Sequence, residues 1–91
     1  MEYNKRNQLL AVLKAMANAN RIKILELIKA SKTGSLTVNE ISKRADIEQS
    51  VVSAHLKLMR LSKVVKAKQD GKKMYYSISD SVAEYLIGLL K

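Results

Sequence analysis

The sequence predicts a mainly α-helical domain that carries one β-hairpin. Three observations support this fold class. Large apolar residues recur every three or four positions in several segments, as they do on one face of a helix. Thr37-Val38-Asn39-Glu40 has the form of a capping box, which marks the first turn of a helix. Asp70-Gly71 lies between two segments rich in β-branched and aromatic residues, a pattern typical of a hairpin. The expected order is four helices, the two strands of the hairpin and a fifth helix.

The first two helices are predicted from their apolar spacing. The residues that share a face are Leu9, Val12, Leu13 and Met16 in the first helix, and Ile22, Leu25 and Ile28 in the second. Asn18-Ala19-Asn20 interrupts this pattern, so it separates the two helices. We expect Asn20 to be the N-cap of the second. Residues 31–35 are small and polar, which predicts a loop.

The third and fourth helices form a closely spaced pair. The capping box predicts a third helix that starts near Val38 and ends around Ala45-Asp46. The fourth helix opens around Glu48 and runs to about Leu61. One of its faces is apolar and consists of Val52, Leu56 and Met59. The opposite face is small, polar and cationic and consists of Gln49, Ser50, Ser53, Ala54 and Lys57.

That polar face has the chemistry of a surface that binds DNA. Gln49, Ser50 and Ser53 can reach the hydrogen-bonding groups of base edges. The small side chain of Ala54 lets the helix backbone approach the DNA closely, and Lys57 can reach a phosphate. A short helix, a tight turn and a second helix with such a face make up a helix-turn-helix unit. We therefore expect the fourth helix to be the recognition helix and to lie in the major groove.

The predicted hairpin follows this unit directly. Its strands are expected at Val64-Val65 and at residues 74–78, with Asp70 and Gly71 at the two central positions of a type I′ turn, where both need positive φ. The hairpin is basic, since it carries Lys66, Lys68, Lys72 and Lys73. A basic hairpin beside a recognition helix is the wing of a winged helix-turn-helix. We expect these lysines to contact phosphates, although lysines on edge strands also protect against aggregation.

The last predicted helix starts at Asp80 or Ser81 and is strongly apolar on one side. Its apolar residues are Val82, Tyr85, Leu86, Leu89 and Leu90. This helix and the first one exceed what a minimal winged helix needs, so they either complete the core or pair with a second copy. We favour pairing, because an unpaired helix of this kind would expose a large apolar patch. Residues 1–91 are thus predicted to form one domain, with 1–17 and 80–91 as dimerisation helices.

Charge and composition favour a nucleic acid partner. The formal net charge is +9, and residues 43–73 hold nine Lys or Arg against three acidic residues, a net of +6. An anionic membrane surface is a weaker alternative, because these basic residues lack an interleaved apolar face. The absence of cysteine excludes disulfides and thiolate metal sites. No segment has the roughly 18 to 20 apolar residues needed to span a bilayer, so we expect a soluble, cytoplasmic protein.

Four segments together resemble the ArsR/SmtB family of small winged-helix repressors. They are residues 16–25, 37–41, 49–57 and 70–76, and the most specific piece is Ser53-Ala54-His55-Leu56. The resemblance implies a homodimer, built from the first and last helices, that binds an imperfect inverted repeat in a promoter and blocks transcription. It also implies that Gln49, Ser50, Ser53 and His55 face DNA and that the hairpin lies along the minor groove.

The chain departs from the family at its metal sites. Many members sense metals through a Cys-x-Cys pair at the start of the third helix, and the matching positions here are Thr37 and Asn39. A second family site uses an Asp, two His and a Glu from the last helices. Asp80 matches the Asp, but Val82 occupies the position of the first His. We therefore expect a regulator with no cofactor and no metal response.

His55 is the only histidine, and it lies between the two faces of its helix. We expect a DNA contact, ahead of a packing role and well ahead of a metal site. A contact with phosphate would strengthen on mild acidification, since the ordinary pKa of histidine is near 6.5. Arg21 is expected to be structural or to face phosphate.

The alternative to a transcriptional repressor is a winged-helix module for protein interaction or nonspecific nucleic acid binding.

Catalysis is not predicted for this chain. Ser53 and His55 are two positions apart on a helix and point in different directions, so they cannot form a dyad. The sequence also lacks a Gly-rich phosphate loop and a nucleophile that can be matched to a base. We therefore expect no enzymatic activity.

Overall fold

The computed structural model describes residues 5–90, which form five α-helices and a three-stranded β-sheet. The elements are α1 Lys5–Met16, α2 Ala19–Ala30, β1 Ser35–Leu36, α3 Val38–Ala45, α4 Gln49–Leu61, β2 Val65–Asp70, β3 Lys73–Ile78 and α5 Ser81–Gly88. The predicted fold class and element order are confirmed, with β1 as an addition. Residues 1–4 and 91, which belong to the segments expected to dimerise, lie outside the described residues.

The hydrophobic core forms around α2. Ile24, Leu25 and Ile28 of this helix have no exposed surface. Buried side chains from the other elements pack in the same cluster, among them Val12, Leu36, Ile41, Val52, Leu56, Met59, Val65 and Ile87. Complete burial of one such side chain contributes about 1.5–3 kcal/mol to the stability of the fold. This cluster therefore fixes how α3, α4 and the sheet pack against α2. The apolar stripe predicted for α4 is confirmed.

The start of α2 differs from the prediction. Asn18, rather than Asn20, is the N-cap: its side-chain oxygen accepts the backbone N–H groups of Asn20 at 2.9 Å and Arg21 at 3.2 Å. Asn20 lies inside the first turn of the helix. Both asparagines have the same intrinsic preference for a cap. The tight link after α1, in which the N–H of Asn18 donates to the carbonyl of Met16 at 2.8 Å, puts Asn18 in the extended conformation that a cap requires.

The sheet has one strand more than the predicted hairpin. β1 pairs antiparallel with β3, which gives the strand order β1-β3-β2. Ser35, expected in a loop, pairs with Ser77, and the buried Leu36 pairs with Tyr76. A strand of two residues has no periodicity that a sequence pattern can reveal. It is defined by its partner strand and by the burial of Leu36.

The turn of the hairpin is not the predicted type I′. Asp70 pairs with Lys73, so the two central residues are Gly71 and Lys72 rather than Asp70 and Gly71. Gly71 has φ +64°, whereas the φ of Lys72 is not positive. Glycine at the first central position with only that residue at positive φ is the pattern of a type II′ turn. The pairing register of β2 and β3 places the turn one residue later in the chain than predicted.

The link from α4 to β2 places a lysine in an unusual backbone conformation. Lys63 has φ +62°. Its N–H donates to the carbonyl of Arg60 at 3.0 Å, and the N–H of Val64 donates to that of Met59 at 2.9 Å. These two bonds form a Schellman motif, in which glycine usually occupies the left-handed position. The motif ends α4 sharply and directs the chain into the wing.

α5 begins at Ser81 and has Asp80 as its N-cap, within the predicted choice of Asp80 or Ser81. The side chain of Asp80 accepts the backbone N–H of Ala83 at 2.9 Å, which satisfies one of the free donors of the first turn. Ala83 and Ile87 are buried in the core. No helix in residues 5–90 has the length and apolar character to cross a membrane.

Candidate nucleic-acid interface

Hydrogen bonds at both ends of α3 hold α3 and α4 as a compact pair. Thr37 Oγ1 accepts the N–H of Glu40 at 3.1 Å, and Glu40 Oε1 accepts the N–H of Thr37 at 2.9 Å, which confirms the predicted capping box. The bond from the N–H of Thr37 keeps the pKa of Glu40 below its ordinary value. At the other end, Asp46 adopts the left-handed conformation and the N–H of Ile47 donates to the carbonyl of Ser42 at 3.2 Å. Only three residues, 46–48, separate the two helices.

α4 presents its predicted polar face to solvent. Val52 and Met59 have no exposed surface, so the orientation of the helix is fixed by the core. The exposed residues on the opposite side are Gln49, Ser50, Ser53, Ala54 and Lys57. The structure thus brings together five of the expected DNA-binding residues. Their contact with DNA stays a prediction.

Gln49 is held by a residue that sequence reasoning did not assign to this surface. Its Nε2 donates to Asn39 Oδ1 at 2.9 Å. Asn39 is exposed in the first turn of α3, ten positions earlier in the chain. No spacing rule links the two positions, because the turn between α3 and α4 decides how close they lie.

His55 is half-buried and contacts Arg21. The Nε of Arg21 donates to His55 Nδ1 at 3.2 Å, so the ring is neutral and carries its proton on Nε2. Burial lowers the pKa of His55, and the positive charge of Arg21 lowers it further. This lowered pKa opposes the predicted strengthening of a phosphate contact on mild acidification. Arg21 also donates through Nη1 to the carbonyl of Ala15 at 3.1 Å, which agrees with its expected structural role.

The four lysines of the wing lie in two groups. Lys66 and Lys68 lie on one face of β2, where they pair with Ser77 and Tyr75 of β3. The other two lysines are at the tip: Lys72 in the two-residue loop and Lys73 at the start of β3. All four are exposed. Lys73 is near enough to Glu40 for its charge to help lower the pKa of that carboxyl, so the start of β3 lies near the start of α3.

The terminal helices have one buried and one exposed apolar side. Val12, Ala15 and Met16 of α1 and Ala83 and Ile87 of α5 are buried in the core. Other large apolar residues of the same helices remain exposed: Leu9, Leu10, Leu13, Val82 and Tyr85. Leu89 and Leu90, expected in the last helix, are also exposed but follow its end at Gly88. Tyr85 and Leu89 are 67% and 62% exposed. Both helices therefore contribute to the core. Their pairing with a second copy through the exposed residues stays a prediction.

Three of the four positions that match metal ligands of the family resembled by the sequence make structural hydrogen bonds. Thr37 and Asp80 cap α3 and α5, and Asn39 accepts from Gln49. Among residues 5–90, no group of three His, Cys, Asp or Glu side chains is arranged to hold a metal ion.

Comparison with known proteins gives consistent matches. A family model described as bacterial regulatory protein, arsR family, matches residues 18–66. The chain is 39% identical over 79 residues to the transcriptional repressor PagR of Bacillus anthracis, covering 87% of this chain and 77% of PagR. It is 33% identical over 79 residues to the transcriptional activator HlyU of Vibrio cholerae, covering 87% and 70%.

Solved structures agree with these matches. The crystal structure of PagR superposes with a TM-score of 0.88 at 37% identity and covers 99% of this chain and 100% of that one. A solution structure of the homodimeric winged helix-turn-helix DNA-binding domain of Mb0332 from Mycobacterium bovis has a TM-score of 0.80 at 26% identity. It covers 99% of this chain and 86% of that one.

Proposed function

Because this chain belongs to the arsR family of bacterial regulatory proteins, we propose that it is a homodimeric repressor that binds an inverted-repeat operator. The family and the relatives are DNA-binding transcriptional regulators with a winged helix-turn-helix fold, so this chain is such a regulator and not an enzyme. The homodimeric assembly, the inverted-repeat operator and repression rather than activation are what we propose beyond this. PagR is named a repressor and HlyU an activator. A regulator of promoter DNA acts where the DNA is, so we place it in the cytoplasm.

The observation that carries the proposal is the exposed polar face of α4, opposite a stripe that is fully buried. The core fixes the rotation of the helix about its axis, and this fixed rotation directs Gln49, Ser50 and Ser53 outward. Such side chains pair with base edges in a major groove. Ala54 lets the backbone approach the groove and Lys57 contacts a phosphate. His55, at the edge of this face, contacts DNA through the side of its ring that does not bind Arg21.

The wing supplies contacts that position the protein without reading the sequence. Lys72 and Lys73 at the tip, and Lys66 and Lys68 along β2, contact phosphates. A dimer that neutralises about eight phosphates loses roughly 10⁴ in affinity between 50 and 200 mM salt.

The exposed apolar sides of α1 and α5 form the dimer interface in this proposal. Exposed patches of this kind mark interaction sites in soluble proteins. The relative from M. bovis is described as homodimeric, which supports the same assembly here. A twofold dimer presents two copies of α4 to half-sites about 10 to 10.5 base pairs apart.

The regulator does not respond to metals in this proposal. Thr37, Asn39 and Asp80 each use a side-chain oxygen in a hydrogen bond that holds the fold or the polar face. Addition of Zn²⁺ to a preformed complex with DNA should leave the affinity unchanged. Release of the DNA by equimolar Zn²⁺ would contradict this part of the proposal.

Protection mapping on the DNA upstream of the chain's own gene tests the proposal directly. We expect one or more protected segments that contain an inverted repeat with half-sites one helical turn apart. Uniform protection, or none, at concentrations that saturate binding would favour the alternative, a module for protein interaction or nonspecific nucleic acid binding.

A further inference from the structure

A hydrogen bond between the first turns of α3 and α4 lies on the surface proposed to enter the groove. Gln49 is the first residue of α4 and Asn39 is the second residue of α3. Gln49 Nε2 donates to Asn39 Oδ1 at 2.9 Å, and both residues are exposed. Within residues 5–90, this is the one side-chain hydrogen bond that either residue makes. The bond therefore serves the surface itself and not the packing of the core.

This bond restricts how Gln49 presents its amide. A glutamine amide can rotate by 180° about its last side-chain bond, which exchanges Oε1 and Nε2. Asn39 Oδ1 accepts hydrogen bonds and cannot donate, so it favours the orientation with Nε2 beside it. The reverse pairing requires both amides to rotate together. Asn39 thus couples the orientation of the Gln49 amide to that of its own, and in the structure Nε2 of Gln49 lies beside Oδ1 of Asn39.

The orientation seen in the structure leaves Oε1 and one N–H of Gln49 available. These two groups match the major-groove edge of adenine, which donates from its N6 amino group and accepts at N7. Guanine presents two acceptors on the same edge, so it leaves Oε1 without a donor. We propose that Asn39 is a positioning residue that holds Gln49 for adenine in each half-site. This inference rests on the proposed function, in which Gln49 faces the bases.

Selection of bound duplexes from a randomised pool tests the inference. The purified full chain should select a motif with one position per half-site that prefers adenine over guanine by about 5- to 150-fold. This preference should disappear in Gln49→Ala. In Asn39→Ala it should fall by about 2- to 10-fold, the value of one hydrogen bond, while the preferences at the other positions remain.

Two further variants separate positioning from a general effect on the surface. Asn39→Asp keeps the acceptor, so it should retain the preference for adenine while its negative charge weakens binding to all duplexes alike. Asn20→Ala is the matched control, because Asn20 is the second residue of α2 and is also exposed. It should change no base preference. A thermal melt of each variant verifies that the fold is retained, as expected for exposed positions.

The outcomes distinguish this inference from the proposed function. If Asn39→Ala keeps the full preference at the position that depends on Gln49, or if that position prefers another base, the role of Asn39 is wrong and the regulator stands. If the unmodified chain selects no motif, the proposed function fails and the inference fails with it.

Discussion

Arg21 and His55 are joined by a hydrogen bond in which the guanidinium Nε donates to the imidazole Nδ1 at 3.2 Å. Arg21 also donates to the carbonyl of Ala15 near the end of α1. One side chain of α2 therefore connects α1 to α4. The bond requires neutral His55, because a protonated imidazole has no lone pair at Nδ1.

The stability of the fold should decrease on mild acidification because of His55. Burial and Arg21 lower its pKa in the folded state, so folding disfavours the protonated ring. The stabilisation is fully present above the ordinary pKa near 6.5 and is lost as the pH falls through 6.5 toward the lower folded pKa. Urea unfolding at pH 7.5 and pH 5.5 measures this difference. His55→Gln, which retains an acceptor but does not titrate, should reduce it, and an equal difference in both proteins would contradict the prediction.

Gln49→Ala should weaken binding to the operator by about 1–3 kcal/mol and change binding to unrelated duplexes little. The reason is that a base contact contributes only where the matching base is present. Fluorescence anisotropy with one operator duplex and one scrambled duplex of the same length measures both affinities. Equal losses on the two duplexes would show that Gln49 does not contact a base.

Lys72→Ala combined with Lys73→Ala should weaken binding to all duplexes alike and flatten the salt dependence. Each phosphate contact contributes about 0.9 to the slope of log K against log salt, so four lost contacts per dimer reduce it by up to about 3.6. Titrations between 50 and 200 mM salt measure the slope. Lys14→Ala, an exposed lysine of α1, is the control and should change it less. An unchanged slope in the double variant would place the tip of the wing away from DNA.

Lys63→Gly should stabilise the fold. A non-glycine residue in the left-handed conformation costs about 1–2 kcal/mol, and Lys63 has φ +62°. The greater freedom of glycine in the unfolded chain offsets part of this gain, so we expect about 0.5–1 kcal/mol. Thermal melting should show an increase of a few degrees. Lys57→Gly, in the interior of α4, should instead destabilise by about 1 kcal/mol, and a loss in both variants would refute the argument.

Tyr85→Glu should separate the proposed dimer. Tyr85 lies on α5 and is 67% exposed. Aromatic residues contribute strongly to the binding energy of protein interfaces. A charge at a buried interface position should cost about 2 kcal/mol or more, roughly a 30-fold weaker association. Sedimentation at several concentrations measures it, with Tyr85→Phe as the conservative control. A monomeric unmodified chain, or an unaffected Tyr85→Glu variant, would exclude this interface.

The sequence by itself determined the features that depend on residues within one or two helical turns of each other. The capping box of Thr37 and Glu40 and the cap at Asp80 are local hydrogen bonds, and both are confirmed. The apolar stripe of α4 depends on the helical period alone, so its buried and exposed faces followed from the spacing of Val52, Leu56 and Met59.

Only the tertiary structure decided the features that join distant segments. The choice of Asn18 over Asn20, the short strand β1 and the turn at Gly71-Lys72 depend on how neighbouring elements pack and pair. The bonds of Arg21 to His55 and of Gln49 to Asn39 join residues 34 and 10 positions apart on different helices. No local preference encodes such contacts, because the core around α2 and the turn before α4 determine which side chains come within hydrogen-bonding distance.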